Sequence, residues 1–148
     1  MNFKSLALAA AAVTVAGAAW TVPTTASAET RLTAASCFPI GSPPSRPFEA
    51  VVKAINAAGK GVVSVKLVGG APAIGSPFTL TQKLSKGAFD MVGCTEAYFG
   101  NLLPEAAVFR LAELPYADLR KNGGWDYMAN LMGNKGVHMV ARHHDFGP

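Results

Sequence analysis

The alternation of apolar and polar positions predicts a strand, a helix and a second strand in the first half of the chain. Residues 31–38 are mostly small or apolar, which favours a strand, and prolines and a glycine within 39–44 end it. An apolar stripe follows with the i, i+3, i+4, i+7 spacing of a packed helix, formed by Phe48, Val51, Val52 and Ile55. Residues 62–68 are β-branched and bounded by glycines, which predicts the second strand.

The second half continues the alternation of helices and strands. Ser76 before Pro77 is a helix-start signature, and residues 89–94 are typical of a third strand. Strand, helix, strand, helix, strand predicts an α/β fold, a parallel sheet with helices on both faces. Two further helices, over 104–109 and 125–132, and a further strand over 137–141 are expected after it.

The first 28 residues are typical of a signal peptide. Lys4 supplies a positive start, residues 6–20 are almost wholly apolar, and Ala26-Ser27-Ala28 has the small-residue pattern of a cleavage site. The apolar run is shorter than the roughly 20 residues that span a bilayer. We therefore expect cleavage after Ala28 and a periplasmic mature chain of residues 29–148 that forms one domain.

Charge and motif content argue against several other classes of function. The 13 basic and 9 acidic residues are scattered without a basic stripe, which disfavours nucleic-acid binding. The glycines lack the phosphate-loop pattern. Cys94 has no nucleophile-elbow pattern around it, so a catalytic nucleophile is disfavoured. A polar loop is expected in preference to a metal site for four residues near the C-terminus, namely His138, His143, His144 and Asp145.

Three segments carry a resemblance to a known family. Residues 86–91 (KGAFDM) lead into the third strand, residues 104–109 (PEAAVF) precede Leu114-Pro115-Tyr116, and a first strand runs through Gly41-Ser42-Pro43 into a helix. Together they resemble the N-terminal portion of the solute-binding subunits of tripartite ATP-independent periplasmic (TRAP) transporters, in the dicarboxylate-binding-protein-like family. The resemblance covers nearly all of residues 30–142, and residues 104–116 are its most specific part.

The resemblance implies the first lobe of a two-lobe binding protein, with the C-terminal lobe missing from these 148 residues. Such a protein is not an enzyme and needs no cofactor or metal. It captures a small, carboxylate-bearing solute, an organic acid, and delivers it to membrane permease subunits. Ligands of open parallel sheets bind beyond the carboxyl ends of the strands, which here are at residues 37–38 and 94–96. The resemblance implies that Cys37 and Thr95 are cleft side chains and that Glu96 and Tyr98 lie next to them. The residues expected at the ligand are therefore Cys37, Phe38, Thr95, Glu96 and Tyr98.

One departure from the family pattern concerns affinity. The family's ligand-clamping arginine belongs to a portion after position 148, and Arg142 does not match its motif. We therefore expect these 148 residues to bind organic acids weakly or not at all. Two alternatives stay open: a secreted α/β enzyme such as a hydrolase, and a binding protein that serves an ATP-driven importer or a sensor.

The resemblance also implies that the first and third strands are neighbours. The Cα atoms of Cys37 and Cys94 should then lie within about 10 Å of each other. If Thr95 faces the ligand cleft, alternation along the strand turns Cys94 away from it, whereas Cys37 faces in. On this argument we expect no disulfide, although the periplasm would permit one.

Overall fold

The computed structural model describes residues 28–142. It contains three strands, β1 (Thr30–Ser36), β2 (Val63–Gly70) and β3 (Met91–Gly93). The α-helices are α1 (Arg46–Ala58), α2 (Pro77–Ser85), α3 (Glu105–Phe109), α4 (Tyr116–Lys121) and α5 (Gly124–Gly133), and a 3₁₀ helix covers Glu96–Phe99. No helix within this described range is long and apolar enough to cross a membrane. The expected signal peptide falls on residues outside the range, apart from Ala28.

The strands form one parallel sheet in the order β2-β1-β3, so the predicted neighbourhood of the first and third strands is confirmed. Asp90 fixes the start of β3 against β1. Its backbone N–H donates to Thr33 O at 3.0 Å, and its carboxylate accepts from the Thr33 N–H at 2.7 Å and the Thr33 hydroxyl at 2.9 Å. The two bonds that the carboxylate accepts, led by the one from the Thr33 backbone N–H, hold the pKa of Asp90 below its usual value.

Helices cover both faces of the sheet, as the alternation of elements predicts. On one face Phe48 and Val52 of α1 form a buried cluster with strand residues, and Met91 packs against it. On the other face Leu80 of α2 is fully buried, and Val92 packs against its cluster. Because Met91 and Val92 are consecutive in β3, their opposite partners show that the two helices lie on opposite sides.

A third cluster extends the core beyond the sheet. It joins the 3₁₀ helix, α3 and α5 to the segment that follows α5. Its six buried residues are Phe99, Leu103, Ala106, Met128, Met132 and Val137. Leu84 of α2 packs against the same cluster. The helices after β3 are therefore attached to the α2 side of the molecule.

Among the differences between the predicted and the observed secondary structure, two concern segments after residue 110. Residues 137–141 are not a strand, because no described strand lies beside them, although buried Val137 and exposed His138 and Val140 follow strand-like alternation. Helix α4 had no counterpart among the predicted elements. It is six residues long and buries only Leu119, so it offers no periodic apolar stripe.

Candidate functional site

The carboxyl ends of the three strands meet in one compact group of residues. Cys37 directly follows β1, Ala71 follows β2 and Cys94 follows β3. Cys37 and Ala71 are buried against Leu80, and Cys94 packs against the same cluster. The Cys37 N–H donates to Gly93 O at 2.8 Å, and the Ala71 N–H donates to Ser36 O at 3.0 Å. Ligands of open parallel sheets bind beyond this edge, which makes it the candidate site.

Cys37 and Cys94 form a disulfide, and their Cα atoms are 5.0 Å apart. The separation confirms the expected proximity, whereas the expectation of unpaired cysteines was wrong. Ser36 of β1 lies level with Gly93 of β3, so the two cysteines are the next residues on adjacent parallel strands. Level residues on such strands point to the same face, which brings the two thiols together instead of turning them apart.

An aromatic group lies just outside the disulfide, with one member after each strand. The ring centres of Phe38 and Tyr98 are 5.7 Å apart. Those of Phe78 and Tyr98 are 5.3 Å apart, and the two rings form an edge-to-face pair. Phe38 and Tyr98 are half-buried, and Phe78 is 40% exposed. The group therefore presents aromatic surface to solvent at the carboxyl edge. Phe78, in the first turn of α2, was missed by the sequence analysis because its contact with Tyr98 joins segments 20 residues apart.

The loop between β1 and α1 is held in shape at the same edge. The Gly41 N–H donates to the Glu49 carboxylate at 2.7 Å, and the Arg46 Nε–H donates to Gly41 O at 2.8 Å. The hydroxyls of Ser36 and Ser45 are buried 3.0 Å from each other beneath the loop. The Gly41 bond, followed by one from Ser45, lowers the pKa of Glu49, so its carboxylate is held ionised in this role.

Glu96 is the centre of a polar cluster beside the aromatic group. Its carboxylate accepts from the Tyr116 hydroxyl at 3.1 Å and from Thr95 Oγ1 at 3.3 Å, and it lies 3.4 Å from Arg142 Nε. The Arg142 guanidinium stacks 4.1 Å from the centre of the Tyr116 ring. The side chains of Arg142 and Glu96 are only 21% and 16% exposed. Tyr116 and Arg142 are long-range partners that the local sequence pattern could not reveal.

A cavity of about 590 Å³ lies alongside β3 and shares Phe38 with the aromatic group. One wall contains Met91 and Val92 of β3, and the opposite wall is the chain from Gly136 to Arg142. Phe38, Thr95 and Glu96 line its end nearest the carboxyl edge, whereas Cys37 and Tyr98 are not among its lining residues. Most of the lining is apolar, and Thr95, Glu96 and Arg142 contribute polar groups at one end.

The five residues expected at the ligand thus lie together at one edge but in different surroundings. Cys37 is 2% exposed and bonded to Cys94, and Tyr98 belongs to the aromatic group. Phe38 contacts both the aromatic group and the cavity, while Thr95 and Glu96 belong to the polar cluster. Within residues 28–142 no group of three or more metal-ligating side chains could hold an ion. His143, His144 and Asp145 lie outside the described residues.

Comparison with known proteins identifies a solved structure with a similar fold. No family model matches the chain. Among solved structures, the chain is similar to a TRAP periplasmic solute-binding protein from Rhodobacter sphaeroides in an apo open structure, with a TM-score of 0.59 and 17% sequence identity. The match covers 72% of this chain and 36% of that one, so the chain spans little more than a third of its neighbour. The chain is therefore similar in fold to one lobe of a periplasmic solute-binding protein.

Proposed function

We propose that residues 29–148 are the first lobe of an exported, two-lobe solute-binding protein of the TRAP type. The observation that carries this proposal is the carboxyl edge of the sheet, where an aromatic group and a polar cluster surround three converging strand ends. A small solute held between this edge and a second lobe would be buried on both sides, as small-molecule sites require. Its delivery to membrane permease subunits belongs to the same proposal.

The chemistry of the edge suits a carboxylate-bearing solute with an apolar portion. Helices α1 and α2 both begin at this edge, and helix N-termini favour negative charge. Phe38, Phe78 and Tyr98 offer aromatic surface to the apolar portion. Glu96 is neutralised locally by Arg142, which reduces its repulsion of an incoming carboxylate. We therefore assign the edge to an organic acid.

Export of the chain is supported by the disulfide, because such bonds persist in oxidising compartments. The test is N-terminal sequencing of the protein recovered from a periplasmic fraction. We expect the mature chain to begin at Glu29. Retention of residues 1–28 in the recovered protein would contradict the proposed cleavage.

Binding is tested by calorimetry with dicarboxylates, keto acids and aromatic carboxylates. One lobe buries only one side of a small ligand, so we expect dissociation constants of about 1 mM or weaker. Phe78→Ala should weaken binding further. Val62→Ala, at the opposite end of the sheet, removes a side chain that is 72% exposed and should leave binding unchanged. Equal effects of the two substitutions would argue against the assigned edge, and micromolar binding by these 148 residues would argue against the need for a second lobe.

A further inference from the structure

The rings of the aromatic group are arranged around Tyr98 and leave ring surface uncovered. The Phe78 and Tyr98 ring planes cross at 82°, and those of Phe38 and Tyr98 cross at 56°. Neither pair is therefore stacked face to face. Phe78 is 40% exposed, and the other two rings are half-buried. The faces and edges that these pairs leave open are the surfaces to which a further ring packs.

A single buried hydroxyl fixes two of the three rings relative to each other. Thr81 of α2 is fully buried, and its hydroxyl lies 2.9 Å from each of the carbonyl oxygens of Phe78 and Tyr98. It thereby joins the first turn of α2 to the 3₁₀ helix, two segments that are separate in the chain. The distance between the backbones that carry Phe78 and Tyr98 is set by this side chain.

The third ring is anchored from the side of β1. The Phe38 N–H donates to the hydroxyl of Ser36 at 3.1 Å, and Ser36 is fully buried. Cys37, the residue before Phe38, is bonded to Cys94 at the end of β3. All three rings therefore project from backbone that is fixed by buried groups, although the rings themselves reach the surface.

Rings on a fixed backbone favour the binding of another ring. An aromatic side chain has only two side-chain torsions to order, and folding has already restrained the backbone here, so little ordering cost is left for binding. An aryl ring gains edge-to-face or offset contacts with such rings in addition to the area that it buries. A saturated ring or an alkyl chain gains the buried area alone.

The polar cluster beside the aromatic group favours a ligand with a single charge. Arg142 pairs with Glu96 at 3.4 Å and stacks on the Tyr116 ring. A second carboxylate placed here would compete with Glu96 for this arginine. An uncharged aryl ring makes no such demand and finds aromatic partners instead.

We propose that the aromatic group selects monocarboxylates that carry an aryl ring, an assignment that rests on the proposed binding of an organic acid at this edge. Phe78 and Tyr98 are the residues that determine the preference for an aryl ring. Thr81 is a positioning residue, which acts by holding these two in place.

The test compares phenylacetate with cyclohexylacetate, which share the carboxylate and the carbon skeleton but differ in the aromaticity of the ring. Each is titrated into ¹⁵N-labelled protein recovered from a periplasmic fraction, and the amide shifts of Phe38, Phe78 and Tyr98 are followed. Cyclohexylacetate is the more hydrophobic acid, so burial of area alone would favour it. We expect phenylacetate to bind about three to ten times more tightly.

Substitutions then locate the preference. Phe78→Leu keeps an apolar side chain but removes the ring, and should abolish the preference for phenylacetate. Tyr127→Leu is the matched control, because Tyr127 is an aromatic residue of α5 that is 65% exposed and outside the aromatic group. Tyr98→Phe keeps its ring. Both of these variants should retain the preference.

Thr81 is tested by a pair of variants. Thr81→Val removes the shared hydroxyl and should lower the ratio of the two affinities, whereas Thr81→Ser keeps the hydroxyl and should preserve the ratio. Partial unfolding would weaken the binding of both acids by the same factor, so the ratio reports recognition of the ring separately from stability. A ratio unchanged by Thr81→Val would overturn the positioning role.

The other outcomes separate this proposal from the proposed function. Equal or tighter binding of cyclohexylacetate, or a preference that survives Phe78→Leu, would overturn the aryl preference and leave the binding of organic acids at the edge intact. So would shifts of Phe78 that depend on protein concentration without any acid, which would assign the group to contact between copies of the chain. No response of the edge to either acid would also overturn the aryl site. Responses centred away from the edge would overturn both proposals.

Discussion

Removing the disulfide should destabilise the protein by about 4 kcal/mol. The bond joins residues 57 apart in sequence. In the chain-entropy treatment, closing a loop of this length lowers the entropy of the unfolded chain by about 14 cal/mol/K, which corresponds to about 4 kcal/mol at 25 °C. Small domains unfold with free energies of about 5–15 kcal/mol. The double variant Cys37→Ala, Cys94→Ala should therefore be marginally folded at best.

The assay is urea unfolding of the oxidised protein, the reduced protein and the double variant, followed by circular dichroism. Reduction removes the cross-link but retains both sulfur atoms in the core. The difference between the oxidised and reduced proteins therefore measures the cross-link itself. The further loss in the alanine variant measures packing around Cys37, which is buried against Leu80.

A control variant separates these effects from general sensitivity to substitution. Val62→Ala changes an exposed residue and should alter the free energy of unfolding by no more than about 0.5 kcal/mol. If the oxidised and reduced proteins differ by less than about 1 kcal/mol, the loop-closure reasoning fails for this fold. A free-thiol assay that detects both cysteines in untreated protein recovered from a periplasmic fraction would show that they are not paired.

Three further predictions concern the sheet and the polar cluster. Asp90 has a lowered pKa in the folded state, so its contribution to stability is present above its unfolded pKa and is lost as the pH falls through the folded pKa. Asp90→Asn should therefore reduce the loss of stability that accompanies acidification below about pH 4. An unchanged dependence of urea unfolding on pH in this range would count against its bonds to Thr33. Gly93→Ala places a Cβ against the Phe48 ring and should cost about 1–3 kcal/mol in thermal unfolding, whereas Gly133→Ala, with open space around it, should not destabilise the protein. Equal melting temperatures of the two variants would refute this packing. Glu96→Gln weakens the bond from Arg142 and should cost about 1–3 kcal/mol in urea unfolding, whereas the exposed control Glu113→Gln should be neutral. A neutral Glu96→Gln would contradict the cluster.

The sheet and its first two helices could be predicted because their signals are local. The apolar stripe of Phe48 and Val52 identifies the face of α1 that packs on the sheet, and the β-branched run before Gly69 and Gly70 identifies β2. Each pattern is formed by the residues of a single element and does not depend on which other elements pack against it. The order of β1 and β3 followed from the family resemblance.

The disulfide and the wall beside the cavity could not be predicted correctly from such signals. The pairing of Cys37 with Cys94 depends on the register of two strands, which decides whether two residues lie level. Residues 137–140 alternate in burial like a strand, but whether they pair depends on what lies beside them. Register and neighbours are properties of the assembled sheet.

The candidate site was predicted only in part for the same reason. The strand-end rule placed Phe38, Thr95 and Glu96 at the carboxyl edge of the sheet, where the structure also has them, because it follows from the parallel sheet alone. The partners of these residues come from distant segments. Phe78 packs on Tyr98 and Arg142 reaches Glu96 across 46 residues, contacts that no local pattern encodes.

The central claim, that a solute binds at the carboxyl edge of the sheet, is tested most directly by a ¹⁵N-resolved NMR titration with an organic acid at millimolar concentration. The account predicts saturable shifts at Phe38, Phe78 and Tyr98, which report the aromatic group, and at the first amides of α2. Residues 138–141, on the far wall of the cavity, should remain unchanged. Shifts confined to those cavity residues, or spread evenly over the surface, would contradict it.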